Sequence, residues 1–76
     1  MENKLLAQIN EVLSGKGEKL LSDITPEMKL RDDLGFDSFD LAELTVRLEE
    51  IYNVDIFENG IVSTVGEIMS ILKKNE

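Results

Sequence analysis

The sequence predicts a small all-α bundle of three main helices. Two apolar stripes at helical spacing and a capping signature ahead of a third predict it, and no stretch alternates long enough to build a sheet. At 76 residues the chain has room for one hydrophobic core, so residues 1–76 are expected to form a single domain.

The first helix is read from Lys4 to Leu13, where Leu5, Leu6, Ile9, Val12 and Leu13 repeat on one face. Ser14-Gly15-Lys16-Gly17 then supplies a left-handed exit and a stop. Between Gly15 and Asp37 there is no sustained period, and the only proline, Pro26, lies there with Leu20, Leu21, Ile24, Met28, Leu30, Leu34 and Phe36. A connection this long is usually functional or disordered, and this one is too apolar for disorder. It is expected to be a long ordered loop pinned by its apolar anchors.

The second helix runs from about Ser38 to Tyr52, with Leu41, Leu44, Leu48, Ile51 and Tyr52 in one stripe and Asn53 as its C-terminal cap. From Val54 to Val62 the chain is short and carries the turn signal Asn59-Gly60, leaving space for at most a turn or two of a distorted helix. Thr64-Val65-Gly66-Glu67 fits a capping box, after which Val65, Ile68, Met69 and Leu72 continue at helical spacing. Lys73 and Lys74 suit the negative end of that last helix.

Composition removes most catalytic devices. With no cysteine and no histidine there is no thiolate, no imidazole base and no ordinary zinc site, so a non-catalytic role is expected. The 16 Asp and Glu against 8 Lys and Arg repel phosphate backbones, which argues against nucleic acid. No apolar run approaches the roughly 20 residues of a membrane span, and Met1-Glu2-Asn3-Lys4 does not open a signal peptide. A cytoplasmic monomer is the simplest expectation.

The charge is segregated. Residues 32–58 hold nine acids (Asp32, Asp33, Asp37, Asp40, Glu43, Glu49, Glu50, Asp55, Glu58) and one base, Arg47, which nets −8 and accounts for the whole net charge. Charges usually cover a solvated helix face, but crowding like charges on one element costs stability and suggests attraction to something basic. At about 100° per residue, Phe39, Ala42 and Val46 form a second stripe away from the core, beside Glu43 and Glu50 with Arg47 and Asp40 alongside. Isolated apolar surface residues are normal; apolar anchors rimmed by charge are also how a helix engages a partner.

Ser38 stands at the head of the second helix. Its plain reading is an N-cap, or a residue just inside an Asp37 cap. Nucleophilic catalysis lacks a base. The position instead offers a hydroxyl beside unpaired N–H groups, a setting that suits an attached phosphate. A calcium loop starting at Asp32 would end properly at Glu43, but Leu34, Phe36 and Asp37 occupy positions that need two oxygen ligands and a glycine, so it is rejected.

Asp33-Leu34-Gly35-Phe36-Asp37-Ser38-Phe39-Asp40-Leu41-Ala42-Glu43-Leu44 resembles the D-L-G-x-D-S-L-D-x-x-E-L signature of acyl carrier proteins, whose serine accepts 4′-phosphopantetheine. Length, acidity, helix order and the Asp55-Ile56 pair extend the resemblance over nearly the whole chain. It implies a non-catalytic carrier in fatty-acid, lipid or polyketide-type biosynthesis. A phosphopantetheinyl transferase, with coenzyme A and magnesium, would join the arm to Ser38, and acyl groups would ride on its thiol as thioesters. The resemblance further implies that Asp37, Asp40, Glu43 and Glu49 or Glu50 meet basic patches on loading and using enzymes, with Phe39, Ala42 and Val46 as apolar contacts and Arg47 within the same face. An acyl cavity between the helices would draw on Leu44, Leu48, Ile51, Ile56, Ile61 and Ile68, which core packing explains equally well.

Three departures from the family pattern stand out. Phe57-Glu58-Asn59-Gly60-Ile61 replaces a proline and an acidic third helix, Arg47 replaces a small or apolar residue, and Phe39 replaces leucine. The first leaves the third helix distorted or absent; the other two alter the docking surface and favour a specialised, stand-alone carrier over the housekeeping fatty-acid one. An aminoacyl or peptidyl carrier would share fold and serine, and an unmodified acidic interaction module would need the helix face but not Ser38.

Overall fold

Burial of one apolar stripe decides the first element. In a computed structural model, which describes residues 2–58, 60 and 62–74, α1 spans Glu2–Gly15 and sinks Leu5, Ile9 and Val12 completely. Each such side chain contributes on the order of 2 kcal/mol. The exit is left-handed as expected, at Gly17 (φ 73°). There the Glu18 N–H donates to the Leu13 carbonyl at 2.9 Å and the Gly17 N–H to Ser14 at 3.0 Å, which satisfies carbonyls the helix leaves open.

The 16–37 connection is ordered by anchors of two kinds. Ile24, Leu30, Leu34 and Phe36 are buried, whereas Leu20 is 54% exposed and anchors nothing. The Asn10 side chain pairs with both backbone groups of Leu21, accepting at 2.8 Å and donating at 2.9 Å. Further along, the loop is stitched to the start of the last helix. Leu30 N–H donates to the Ser63 carbonyl, Val65 N–H to Met28 and Gly66 N–H to Pro26, each at 2.9 Å. Gly66 suits that approach, since a Cβ there would lie 3.0 Å from both Pro26 Cβ and Pro26 O and Pro26 would have to give way by a few tenths of an ångström.

Helix α2 covers Ser38–Tyr52 and ends on Asn53, which is left-handed at φ 56°. Leu41, Leu44 and Leu48 enter the core and pack against α1. Ile51, expected on the same stripe, is 44% exposed, because it lies at the stripe's edge on the helix's last turn. Helix α3 covers Val65–Lys74 and begins with the expected box, in which Glu67 N–H donates to Thr64 Oγ1 at 3.2 Å and Thr64 N–H to Glu67 Oε1 at 3.1 Å.

Among the described residues there is no strand, only an isolated antiparallel bridge between Lys29 and Thr64. The described part of the 54–62 segment forms turns, with Glu58 N–H donating to Asp55 O and Gly60 N–H to Phe57 O, both at 3.2 Å. The helix expected there is absent from these residues, and Asn59 and Ile61 lie outside the description. The segment still contributes Val54, Ile56 and Val62 to the core. These side chains compete with helix formation for the same few residues, and the Asp55 side chain, accepting from Phe57 N–H at 2.9 Å, favours a turn.

Candidate functional site

The approach to Ser38 is built residue by residue. Asp33 accepts from Lys29 N–H at 2.7 Å, closing a single turn whose backbone bonds run from Asp33 and Leu34 to Lys29 and from Gly35 to Arg31. Leu34 and Phe36 drop into the core on either side of Gly35, which takes φ 71° so that both side chains face inward. Asp37 is extended and caps α2: its carboxylate accepts from Asp40 N–H at 3.0 Å, while the Asp40 carboxylate accepts from Asp37 N–H at 2.9 Å. Ser38 is therefore the first residue inside the helix. Its hydroxyl is exposed and has no hydrogen-bond partner among the described residues.

Asp40 departs from its expected role. The family resemblance gives it to partner contacts, yet it is a buried residue at 8% exposure. Besides closing the cap it accepts from Lys16 Nζ at 2.7 Å, and Lys16 also donates to the Gly35 carbonyl at 2.7 Å and lies 5.8 Å from the Phe36 ring centroid. Burial pushes the Asp40 carboxyl up. The Lys16 hydrogen bond and charge and the bonds from Asp37 outweigh it, so the group sits below its ordinary value. Lys16 is raised, first by its hydrogen bond to Asp40. A cation thus ties the end of α1 to the glycine turn and to the head of α2.

The second stripe is exposed. Phe39 is 86% and Val46 57% accessible, with Ala42, Glu43, Glu49 and Glu50 also exposed. Arg47 is half-buried and donates to Glu43 at 3.0 Å, one helical turn away. Asp37 remains exposed although its carboxylate is engaged in the cap.

A family model described as a phosphopantetheine attachment site matches residues 3–70. The chain is 34% identical over 73 residues to an acyl carrier protein of Thermotoga maritima, covering 93% of this chain and 90% of that one. It is 46% identical over 55 residues to an acyl carrier protein of Syntrophobacter fumaroxidans, covering 70% and 68%. It is also 31% identical over 77 residues to a meromycolate extension acyl carrier protein of Mycobacterium leprae, covering 99% and 67%.

The chain belongs to the acyl carrier protein family. Its cofactor is 4′-phosphopantetheine, and it is a non-catalytic carrier. Carriers of this family work with phosphopantetheinyl transferases and acyl-handling enzymes. No described helix is long and apolar enough to cross a membrane.

Two grooves flank the head of α2 in this carrier. One of about 490 Å³ has Ser38, Arg31, Thr45, Val46 and Asp55 in its wall; the other, of about 510 Å³, has Lys29, Asp32, Val62 and Thr64. Both include Arg31, Leu41 and Phe57. Of the residues expected to line an acyl cavity, Leu44, Leu48, Ile56 and Ile68 are packed in the core, Ile51 is on the surface and Ile61 is outside the description.

Lys16 and Arg31 were missed by sequence reasoning. Lys16 was read only as part of a helix stop, and nothing local says that it meets an acid 24 positions away. Arg31 fell one residue outside the acidic window that starts at Asp32. A scan for lone cations flanking the signature, rather than a count of acids within it, would have raised both.

Proposed function

We propose that the chain carries acyl groups as thioesters on a 4′-phosphopantetheine arm joined to Ser38 Oγ. The observation that carries this reading is the division of labour at the head of α2. Asp37 does the capping, so the hydroxyl beside it is exposed and uncommitted. A serine present only to cap would accept the N3 N–H itself. The surroundings also fit the group: Ser38 opens on a groove, and Arg31 places a cation in the same wall for the phosphodiester. In the attachment, the Ser38 oxygen takes the phosphopantetheinyl phosphate of coenzyme A, losing its proton as the nucleotide leaves. Once bound, the arm supplies the thiol that a chain without cysteine lacks.

The proposed docking face consists of Phe39, Ala42 and Val46, rimmed by Glu43, Glu49 and Glu50, with Asp37 at its upper edge and Arg47 paired beside it. Basic patches on a transferase and on acyl-loading and acyl-using enzymes are its complement. Asp40 is not part of it. The aromatic Phe39 and the cation at Arg47 support a specialised carrier over a housekeeping one.

Incubation with coenzyme A, magnesium and a promiscuous phosphopantetheinyl transferase tests the attachment by intact-protein mass. The wild type is expected to gain one phosphopantetheine and Ser38→Ala to gain nothing. A wild type that stays unmodified, or a gain that persists in Ser38→Ala, overturns the reading.

A further inference from the structure

We infer that Lys16 is a positioning residue for the attachment reaction: it locks the turn that presents Ser38, and turnover by the transferase depends on that lock. This rests on Ser38 being the point of attachment.

The serine stands between two contacts of one ammonium group. Lys16 Nζ donates to the carbonyl of Gly35, before Ser38 in the chain, and to Asp40 Oδ2, after it, both at 2.7 Å. The same Asp40 oxygen accepts from the Asp37 N–H at 2.9 Å. Cation, carboxylate and the backbone entering α2 therefore form one continuous set of bonds. The Phe36 ring also lies against the ammonium, at 5.8 Å from its centroid.

What the lock restrains is a pliable joint. Gly35 has φ 71°, and a Cβ placed on it would meet nothing within 4 Å, so no side chain of its own and no crowding fixes its backbone. Its N–H is held by the Arg31 carbonyl at 3.0 Å; its carbonyl, on the side of Ser38, is held by Lys16. Freed at Gly35 and uncoupled at Asp40, the first turn of α2 loosens around its Asp37 cap. The Ser38 hydroxyl then no longer keeps one position relative to the docking face further along the helix. Transfer of a phosphoryl group needs the attacking oxygen in line with the leaving group, so such loosening acts on the chemical step. Lys16 itself follows α1, and both acceptors belong to this chain, so removing it leaves Phe39, Ala42 and Val46 in place for docking. A comparison is built into the same connection. At its near end Asn10, also from α1, makes two hydrogen bonds with Leu21, far along the chain from Ser38.

The test uses wild type, Lys16→Met, Lys16→Arg, Asp40→Asn and Asn10→Ala, each assayed well below its melting temperature. With coenzyme A, magnesium and a promiscuous phosphopantetheinyl transferase, the rate of mass gain gives kcat and KM for each carrier. Lys16→Met is expected to lower kcat roughly tenfold, less than the 10²-fold that a misplacement of about 1 Å can cost, and to leave KM within about twofold. Lys16→Arg keeps the charge and the donors and recovers most of the loss. Asp40→Asn leaves Lys16 on the Gly35 carbonyl and loses less than Lys16→Met. Asn10→Ala, which also deletes two hydrogen bonds, melts lower but keeps both constants.

An unchanged kcat in Lys16→Met, a loss matched by Asn10→Ala, a loss that Lys16→Arg does not recover, or a loss confined to KM overturns the positioning role, although Ser38 still carries the arm. If Lys16→Met does not fold at the assay temperature, Asp40→Asn decides in its place, and an unchanged kcat there overturns the role. Absence of any mass gain in wild type instead removes the attachment on which this inference stands. The two failures are therefore separate.

Discussion

The two sides of Ser38 use the same kind of residue in opposite ways. On the side leading in, residues 29–40, three of the four acids have a structural partner, Asp32 being the exception: Asp33 closes the turn on Lys29, Asp37 caps α2, and Asp40 holds both the Asp37 N–H and Lys16. On the outward face of α2, Glu49 and Glu50 are exposed with no ion pair among the described residues, and Glu43 has only the exposed contact with Arg47. The inward side fixes where Ser38 sits. The outward side is left for what comes to meet it. Net charge alone does not make this distinction, since Asp40 and Glu43 are one helical turn apart and both count as −1.

Removing an acid from each side is the sharpest way to break the comparison. Asp40→Ala deletes the N3 half of the capping box and leaves the Asp37 N–H and Lys16 without their acceptor, and each hydrogen bond lost is worth on the order of 1 kcal/mol. At roughly 4–8 °C per kcal/mol for a domain of this size, thermal melts should show a clear fall. Asp40→Asn keeps an acceptor for the Asp37 N–H and removes the charge, so it should lose less stability but most of the pH dependence. The sign follows from the shifts. Asp40 is lowered, so its contribution is present above the ordinary carboxylate range and is lost as pH falls through its depressed value. Lys16 is raised, so its contribution is present below the ordinary lysine value and is lost as pH rises through the elevated one. Wild type should therefore lose this link at both ends of the pH scale and Asp40→Asn at neither. An Asp40→Asn melt with an unchanged pH profile would break the assignment of Asp40 to the inward side.

Reversing Glu43 together with Glu50 is the matching change on the outward face. Folding stability should move by less than about 0.5 kcal/mol, because the lost Glu43–Arg47 contact is exposed and its loss is offset by relief among the acids. Docking is expected to weaken roughly tenfold at low salt and to become less salt-dependent, measured as the affinity of a cognate enzyme across ionic strengths. Equal affinity for the variant would refute the docking face; a large loss of stability would show that these acids, like Asp40, belong to the scaffold.

Much of this division was legible in the sequence, and the remainder fails for physical reasons. Periodicity located the three helices, and the caps at Asn53 and Thr64 follow from side chains that bond their own neighbours. The exposed stripe of Phe39, Ala42 and Val46 follows from the same angular arithmetic. Asp40 does not: the helical projection sets it alongside the exposed stripe, and only the fold says that it is buried with Lys16 opposite. Ile51 fails in the converse way, being on the apolar edge of a helix whose last turn is left uncovered. The 54–62 segment is too short for any period, and its course is set by Val54, Ile56 and Val62 reaching the core.

The smallest expected effect separates the two sides by screening. Salt acts on this molecule in opposite directions: it weakens the Lys16–Asp40 attraction on the inward side and the repulsion among exposed acids on the outward one. The attraction spans 2.7 Å between partly shielded side chains, where counterions screen poorly, whereas the repulsions run between exposed groups. Magnesium or moderate salt should therefore raise the melting temperature of the wild type slightly. In Asp40→Asn there is no attraction left to screen, so the same salt step should raise the melt by more. In the Glu43 and Glu50 reversal there is less repulsion to relieve, and the rise should be smaller than in wild type. Measured by calorimetry at two salt concentrations, this ordering of three proteins depends only on where each acid sits. A reversed order, or three equal responses, would mean that the exposed acids of α2 do not repel strongly enough to need a basic partner.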